Sequence, residues 1–112
     1  MTEVLVLYYS RHGATAEVAR HIDVGGAAVL DVRGAAEWEA GHLPGVPNIP
    51  LAYLSERMSE VPRDRPVVVQ CQGGARSAMA ASVLKAHGFE DVANMAGGYA
   101  AWTAAGLPVE TG

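Results

Sequence analysis

Cys71, the single cysteine of the chain, is the residue whose position most strongly suggests chemistry. It follows the apolar run 66–70 and precedes Gln-Gly-Gly-Ala-Arg-Ser, which predicts a buried strand, a tight glycine loop and then a helix. Backbone N–H groups and the positive end of a helix dipole converge at such a junction, so a thiol there ionises easily and binds anionic partners. The candidate binding loop consists of Gln72, Gly73, Gly74, Ala75, Arg76 and Ser77.

A lone cysteine is often only a small core residue, but the flanking residues favour a nucleophile here. Gly73 and Gly74 suit a tight loop rather than a helix interior. Ser77 is placed to cap the helix or donate its hydroxyl, and Arg76 supplies a cation for a thiolate and any bound anion. The Cys-x4-Arg spacing is one residue shorter than a phosphatase loop, which favours a single sulfur over phosphate or arsenate. The lack of a second cysteine also disfavours an arsenate reductase, which uses a thiol relay.

The composition predicts one domain, residues 1–112, with a single core. The net charge of −4 and the scattered basic residues argue against nucleic acid or an anionic membrane as a partner. No apolar stretch is as long as a membrane span, and we read no signal peptide at the start of the sequence. A lone cysteine makes no internal disulfide and fits a reducing cytoplasm, and any chemistry on it must end on an external molecule.

Apolar runs and helical patterns alternate along the chain. The predicted strands are 4–9, 27–32, 67–70 and 91–95, and the predicted helices are 13–22, 34–40, 51–61, 75–87 and 99–105. This alternation predicts an α/β fold with a parallel sheet and right-handed crossovers. Asp31, Arg33 and Cys71 follow the ends of predicted strands, so we expect them to share one pocket at the carboxyl edge of the sheet.

Three stretches resemble the signatures of the rhodanese family of sulfurtransferases. The resembling residues are Cys71-Gln-Gly-Gly-Ala-Arg-Ser77 as the active-site loop, Leu30-Asp-Val-Arg33 with Glu37-Trp38 and 41–50 as the first signature, and Gly97-Gly98, Ala101-Trp102 and Gly106-Leu-Pro108 as the closing stretch. The resemblance covers about residues 24–110, with Val46 replacing a commoner alanine. It implies a single rhodanese-like three-layer α/β/α domain with a mostly parallel sheet of about five strands.

The resemblance also implies a function. Cys71 would take a sulfane sulfur as a persulfide and pass it to cyanide, glutathione or a protein thiol, with no metal and no cofactor. Asp31, Arg33, Glu37 and His42 would hold loops together rather than react. The stretch from Asp31 onward looks most like rhodanese domains fused to persulfide dioxygenases, which suggests glutathione persulfide or thiosulfate as the donor.

Residues 1–23 instead resemble the first strand, loop and helix of flavodoxin-like quinone reductases. The loop that would wrap the FMN phosphate is Ser10, Arg11, His12, Gly13, Ala14 and Thr15. We expect a hybrid of this segment with a rhodanese core at 24–112, without tight FMN binding, as a monomer or a weak dimer through an edge strand. The alternatives to a sulfurtransferase are a scaffold or interaction module with impaired catalysis and a weak FMN- or phosphate-binding protein.

Overall fold

The computed structural model describes residues 27–95 and 97–112. Within them, strands β1, β2 and β3 form a parallel sheet in that order. The strands are β1 (Ala28–Asp31), β2 (Val67–Gln70) and β3 (Val92–Asn94); the α-helices are α1 (Ala35–Ala40), α2 (Ala75–Ala86) and α3 (Gly98–Ala104); and 3₁₀ helices span Leu51–Tyr53 and Met58–Glu60. The predicted α/β fold class with a parallel sheet is therefore confirmed.

The sheet is buried on both faces, which explains why its strands lack alternation between polar and apolar residues. Successive side chains of β2 point to opposite faces, so Val67 and Val69 pack with Leu84 of α2, whereas Val68 packs with Trp102 of α3. The helices α2 and α3 therefore cover opposite faces of the sheet. This arrangement places the N-termini of both helices near the carboxyl end of β2.

The predicted helix over 51–61 is wrong, because this segment forms two short 3₁₀ helices joined by turns. Most of its backbone hydrogen bonds span three residues, as from Leu54 N–H to Leu51 O at 3.2 Å and from Val61 N–H to Met58 O at 3.1 Å. Only Leu54 and Val61 of the segment are buried. Apolar residues spaced three or four apart fit a 3₁₀ turn as well as an α-helix, so the pattern did not distinguish them.

The other predicted elements within the described residues are confirmed to within about two residues at each end. The predicted strand 4–9, helix 13–22 and edge-strand dimer contact lie outside the described residues. No helix in the described part of the chain is long and apolar enough to cross a membrane.

The extended loop after α1 fixes the carboxyl end of β1. Asp31 donates its N–H to Pro47 O at 3.0 Å, and Ile49 donates its N–H to Asp31 O at 3.0 Å. The Asn48 amide nitrogen also donates to the carbonyl oxygens of Asp31 (3.0 Å) and Arg33 (2.8 Å). The backbone that carries Asp31 and Arg33 is consequently held from both sides.

Candidate active site

The sulfur of Cys71 is enclosed by hydrogen-bond donors at the junction of β2 and α2. The residue is 1% exposed and follows directly after the last residue of β2. Its Sγ accepts the N–H groups of Gly74 at 3.1 Å and Ser77 at 3.3 Å, and lies 3.4 Å from the Ser77 hydroxyl. The first N–H groups of a helix have no acceptor within the helix, and in α2 the N–H of Ser77 donates instead to the cysteine sulfur.

The sulfur takes the place of a helix cap. Gly74 is the N-cap residue of α2 and has no side chain with which to cap the helix. Sγ accepts the N–H of Ser77 three residues further on, as a serine or aspartate N-cap side chain would. Because α2 has twelve residues, the sulfur also lies at the positive end of a full helix dipole.

Two opposing effects set the pKa of the Cys71 thiol. Burial alone raises it, because a buried thiolate loses its hydration. The Ser77 hydroxyl and the backbone N–H groups of Ser77, Gly74 and Gly73 lower it by binding the thiolate, and together they outweigh burial. The pKa of Cys71 is therefore below its ordinary value, as a nucleophile requires.

The first turn of α3 determines which way the peptide groups of the cysteine loop (residues 71–77) face. Tyr99 N–H donates to Cys71 O at 2.8 Å, and Ala100 N–H donates to Gln72 O at 3.0 Å. In a trans peptide the N–H points opposite to the C=O, so the next N–H groups along the loop turn away from α3. The N–H of Gly73 therefore points towards the sulfur, where it lowers the pKa of Cys71.

Glycines permit this close approach of α3 to the cysteine loop. Gly98 has a φ of +49°, and a methyl group on its Cα would overlap the carbonyl oxygen of Cys71. Gly74 has a φ of +114°, in the left-handed region that favours glycine. Gly73 has neither constraint, because its φ lies outside the left-handed region and a Cβ there would meet only open space.

Arg33 joins four parts of the site through one buried guanidinium. Its Nε and Nη2 donate to the Asp31 carboxylate at 3.1 Å and 2.8 Å, and Nη2 also donates to Gly41 O at 2.7 Å. Its Nη1 donates to Gln72 Oε1 at 3.3 Å, and the guanidinium lies 4.3 Å from the centre of the Tyr99 ring. Asp31, Arg33 and Cys71 lie at the same edge of the sheet, at the ends of β1 and β2. The predicted shared pocket and the supporting role of Asp31 and Arg33 stay predictions.

Arg76 is paired with Glu37 rather than with the sulfur. Its two terminal nitrogens donate to the Glu37 carboxylate at 2.7 Å and 3.0 Å, and both side chains are about two-fifths exposed (39% and 42%). The Arg76 hydrogen bonds, together with the Gly34 N–H, lower the pKa of Glu37 to about 2. The predicted role of Arg76 as a cation for the thiolate stays a prediction, and its partner is a carboxylate that carries the opposite charge.

His42 lies in a separate cluster from the cysteine loop. Its ring stacks on Trp38 with centroids 3.8 Å apart, and its Nδ1 lies 2.7 Å from Trp38 O. Its Nε2 lies 3.7 Å from a carboxylate oxygen of Glu110. His42 therefore connects α1 to the C-terminal segment. The loop Ser10–Thr15, which carries the alternative of weak phosphate or FMN binding, lies outside the described residues.

Sequence reasoning missed Asn94, which ends β3 beside the sulfur. Its Oδ1 accepts the Ser77 hydroxyl at 2.5 Å, and its Nδ2 lies 3.4 Å from Gly74 O. The sequence offered one signal, a polar asparagine near the carboxyl end of the predicted strand 91–95. Side chains at that edge of a parallel sheet converge on the ligand site.

The fold and site together define a three-layer α/β protein with a buried cysteine in an N–H-lined loop. The chain belongs to the rhodanese-like domain family, whose sequence model matches residues 14–105. A sulfurtransferase of Allochromatium vinosum is 41% identical over 81 residues, which are 72% of this chain and 76% of that protein. The thiosulfate sulfurtransferase GlpE of Pseudoalteromonas translucida is 36% identical over 95 residues, which are 85% of this chain and 90% of that protein.

Solved structures agree with this membership. A rhodanese-related protein of Thermoplasma volcanium superimposes with a TM-score of 0.78 at 32% identity, and the match covers 88% of this chain and 95% of that one. Other relatives are much longer, and the chain covers only 20% of one adenylyltransferase/sulfurtransferase. The family match begins at residue 14, inside the segment 1–23 that we predicted to be flavodoxin-like. None of these comparisons supports a flavodoxin-like segment or a hybrid origin.

Replacement of Gly98 tests whether the contact of α3 with the cysteine loop sets the chemistry of the sulfur. Gly98→Ala should raise the pKa of Cys71, because the added methyl group displaces the Cys71 carbonyl and the N–H groups behind it. Gly106→Ala is the matched control, since Gly106 also has a positive φ (+74°) but open space around it. Each variant should lose about 1–2 kcal/mol of stability from the left-handed backbone alone. Alkylation of Cys71 across pH measures the difference, and equal profiles for both variants would contradict the proposed coupling.

The pairing of Glu37 with Arg76 should make the free energy of unfolding depend on pH in the acidic range. Because the pKa of Glu37 is lowered from 4.5 to about 2, its contribution is full above about pH 4.5 and is lost as the pH falls towards 2. Both side chains are partly exposed, so the contribution should not exceed about 1 kcal/mol. Urea unfolding of the wild type and Glu37→Gln should differ near neutral pH and converge near pH 2. A difference that persists in acid would show that the ion pair is not its source.

Proposed function

We propose that this protein is a sulfurtransferase that carries a sulfane sulfur as a persulfide on Cys71. The observation that carries the proposal is the enclosure of one ionisable sulfur by inward-facing N–H groups at the N-terminus of α2. Membership of the rhodanese-like domain family and the similarity to named sulfurtransferases support it. A lone thiol fits a reducing compartment such as the cytoplasm.

Loading begins when the Cys71 thiolate attacks the outer sulfur of the donor. With thiosulfate, the bond between its two sulfurs breaks, both electrons leave on sulfite, and a Cys71–S–S⁻ persulfide remains. An acceptor such as cyanide then attacks the outer sulfur, leaves as thiocyanate and regenerates the thiolate. Each step conserves charge and needs no oxidant, so a single cysteine suffices.

The outer sulfur of the persulfide also needs hydrogen-bond donors. Within the described residues, the backbone N–H groups of Gln72, Ala75 and Arg76 make no hydrogen bond. These groups belong to the same loop and first helical turn as the N–H groups that bind Sγ, so they are suited to bind the displaced negative charge. A phosphate would require a wider ring than this five-residue spacing from Cys71 to Arg76 provides.

The charges around the loop favour a donor whose reacting sulfur group carries at most one negative charge. Both nearby arginines are paired with carboxylates, Arg33 with Asp31 and Arg76 with Glu37. A dianion such as thiosulfate gains little from cations that are already neutralised. We therefore propose a persulfide such as glutathione persulfide as the preferred donor, with thiosulfate as a slower one.

Intact mass measurement tests the transfer directly. Incubation with either donor should add the mass of one sulfur atom to the wild type and none to Cys71→Ser, because Cys71 is the only thiol in the chain. Addition of cyanide should remove that mass and release thiocyanate. A wild-type protein that gains no sulfur from either donor would refute the proposed function.

Neutralising Glu37 tests the preference for the donor. In Glu37→Gln the Arg76 guanidinium loses its charged partner, so loading by thiosulfate should accelerate about fivefold to tenfold, whereas loading by glutathione persulfide should change less. Glu60→Gln is the control, because it removes the same charge from the exposed pair with Arg57. Equal effects of the two substitutions on the donor ratio would show that Arg76 does not set the preference.

A further inference from the structure

The Ser77 hydroxyl has one hydrogen and three neighbouring groups that compete for it. Its Oγ lies 2.5 Å from Asn94 Oδ1, 3.1 Å from Gly74 O and 3.4 Å from the sulfur of Cys71. Ser77 and Asn94 are both buried, so the neighbouring protein groups supply these hydrogen bonds. Because a hydroxyl donates a single hydrogen, only one strong bond forms at a time, and Asn94 is the nearest acceptor.

The Asn94 amide presents its acceptor oxygen to Ser77 and its donor nitrogen to Gly74. Its Nδ2 faces the carbonyl oxygen of Gly74 at 3.4 Å, which orients its oxygen towards Ser77. The Gly74 carbonyl already accepts the N–H of Ala78 at 3.1 Å. With Asn94 Nδ2 also at 3.4 Å, both lone pairs of the Gly74 oxygen are engaged, so the main acceptors for the Ser77 hydrogen are Asn94 Oδ1 and the sulfur.

The charge on the sulfur decides that choice. An uncharged sulfur is a weak acceptor, so the Ser77 hydrogen turns to Asn94, and a Cys71 thiol can donate its own hydrogen to Ser77 Oγ. A thiolate is a strong acceptor and draws the Ser77 hydrogen to itself. In a persulfide the negative charge resides on the outer sulfur, so the Cys71 sulfur is uncharged again.

We propose that Asn94 is a positioning residue for sulfur transfer. Its side-chain oxygen accepts the hydrogen bond of the Ser77 hydroxyl when the Cys71 sulfur is uncharged, and the hydroxyl turns from Asn94 to that sulfur when it is a thiolate. The proposal rests on the proposed function, because loading and unloading alternate the sulfur between these two states. Without Asn94, the Ser77 hydroxyl of the loaded state would have only Gly74 O as an acceptor, which lies further away at 3.1 Å and already accepts Ala78 N–H. This weaker pairing costs the loaded state free energy. Asn94 thus lowers the free energy of the persulfide state relative to the thiolate state.

The other ionisable groups around the site are paired with partners other than Asn94. Arg76 of α2 is paired with Glu37 of α1, and Arg33 after β1 is paired with Asp31. Tyr99 of α3 packs its ring against Arg33. None of their contacts in the described part of the chain involves Asn94, so a substitution there leaves these groups in place.

Titration of the thiolate by its ultraviolet absorbance, taken as the difference from Cys71→Ser, tests the proposal. Asn94→Leu removes the competing acceptor at similar size, so the titration midpoint should fall and the thiolate population below the midpoint should rise about fivefold. Ser77→Ala should raise the midpoint, because the hydroxyl donor is lost. In the Ser77→Ala background, Asn94→Leu should have no effect on the midpoint. This dependence on Ser77 is what a packing role would not produce.

A rise of the midpoint in Asn94→Leu, or an equal shift with and without Ser77, would overturn the proposal. If Asn94→Leu does not fold, as judged by circular dichroism and thermal melting, Asn94→Ala carries the same expectation with a smaller side chain. The titration needs no sulfur donor, so it decides the role of Asn94 even if the wild type never gains sulfur.

The loading equilibrium supplies a second measurement. At a fixed ratio of thiosulfate to sulfite, the ratio of persulfide to thiolate in Asn94→Leu should fall about fivefold relative to the wild type. Unchanged loading together with a lowered midpoint would contradict the balance between the two states. Failure of the wild type to load would refute the sulfurtransferase function separately.

Discussion

The carbonyl groups of Cys71 and Gln72 face α3 because the N–H groups of Tyr99 and Ala100 bind them. Much of the site depends on this arrangement. It places oxygen atoms on one side of the loop and N–H groups on the other, where the sulfur is. The same two hydrogen bonds satisfy N–H groups that the first turn of α3 would otherwise leave unpaired. Two hydrogen bonds between α3 and the cysteine loop thus orient the N–H groups that stabilise a thiolate.

The charged groups of the site contribute rigidity more than net charge. Arg33 is buried, and burial of a guanidinium costs several kcal/mol unless its donors are satisfied. Asp31, Gly41 and Gln72 accept its hydrogen bonds, so the end of β1, the end of α1 and the cysteine loop are connected through one side chain. Arg76 and Glu37 connect α2 to α1 at the surface. Stabilisation of a thiolate therefore falls mainly to backbone dipoles and one hydroxyl.

The parts of this structure that depend on local sequence were predictable. An apolar run before Cys71 and glycines after it predict a strand, a loop and a helix, and each forms at nearly the predicted bounds. Contacts between distant residues were not predictable, because the 39 positions that separate Glu37 from Arg76 leave no local pattern. The roles of Asn94 and Gly98 were unpredictable for the same reason, since they arise only where β3 and α3 meet the cysteine loop. The prediction for residues 51–61 was wrong for another reason, because their apolar spacing suits both an α-helix and a 3₁₀ helix.

A carrier of sulfane sulfur must accommodate negative charge at two neighbouring positions in turn. Backbone N–H groups are fixed donors and cannot follow a charge that moves from the inner to the outer sulfur. A hydroxyl rotates, so it can donate to the inner sulfur in one state and to another acceptor in the next. The cysteine loop has donors of both kinds, with Gly74 N–H and Ser77 N–H as the fixed donors and the Ser77 hydroxyl as the movable one. A movable donor in a buried site needs two acceptors, and the position of Asn94 at the end of β3 supplies the second.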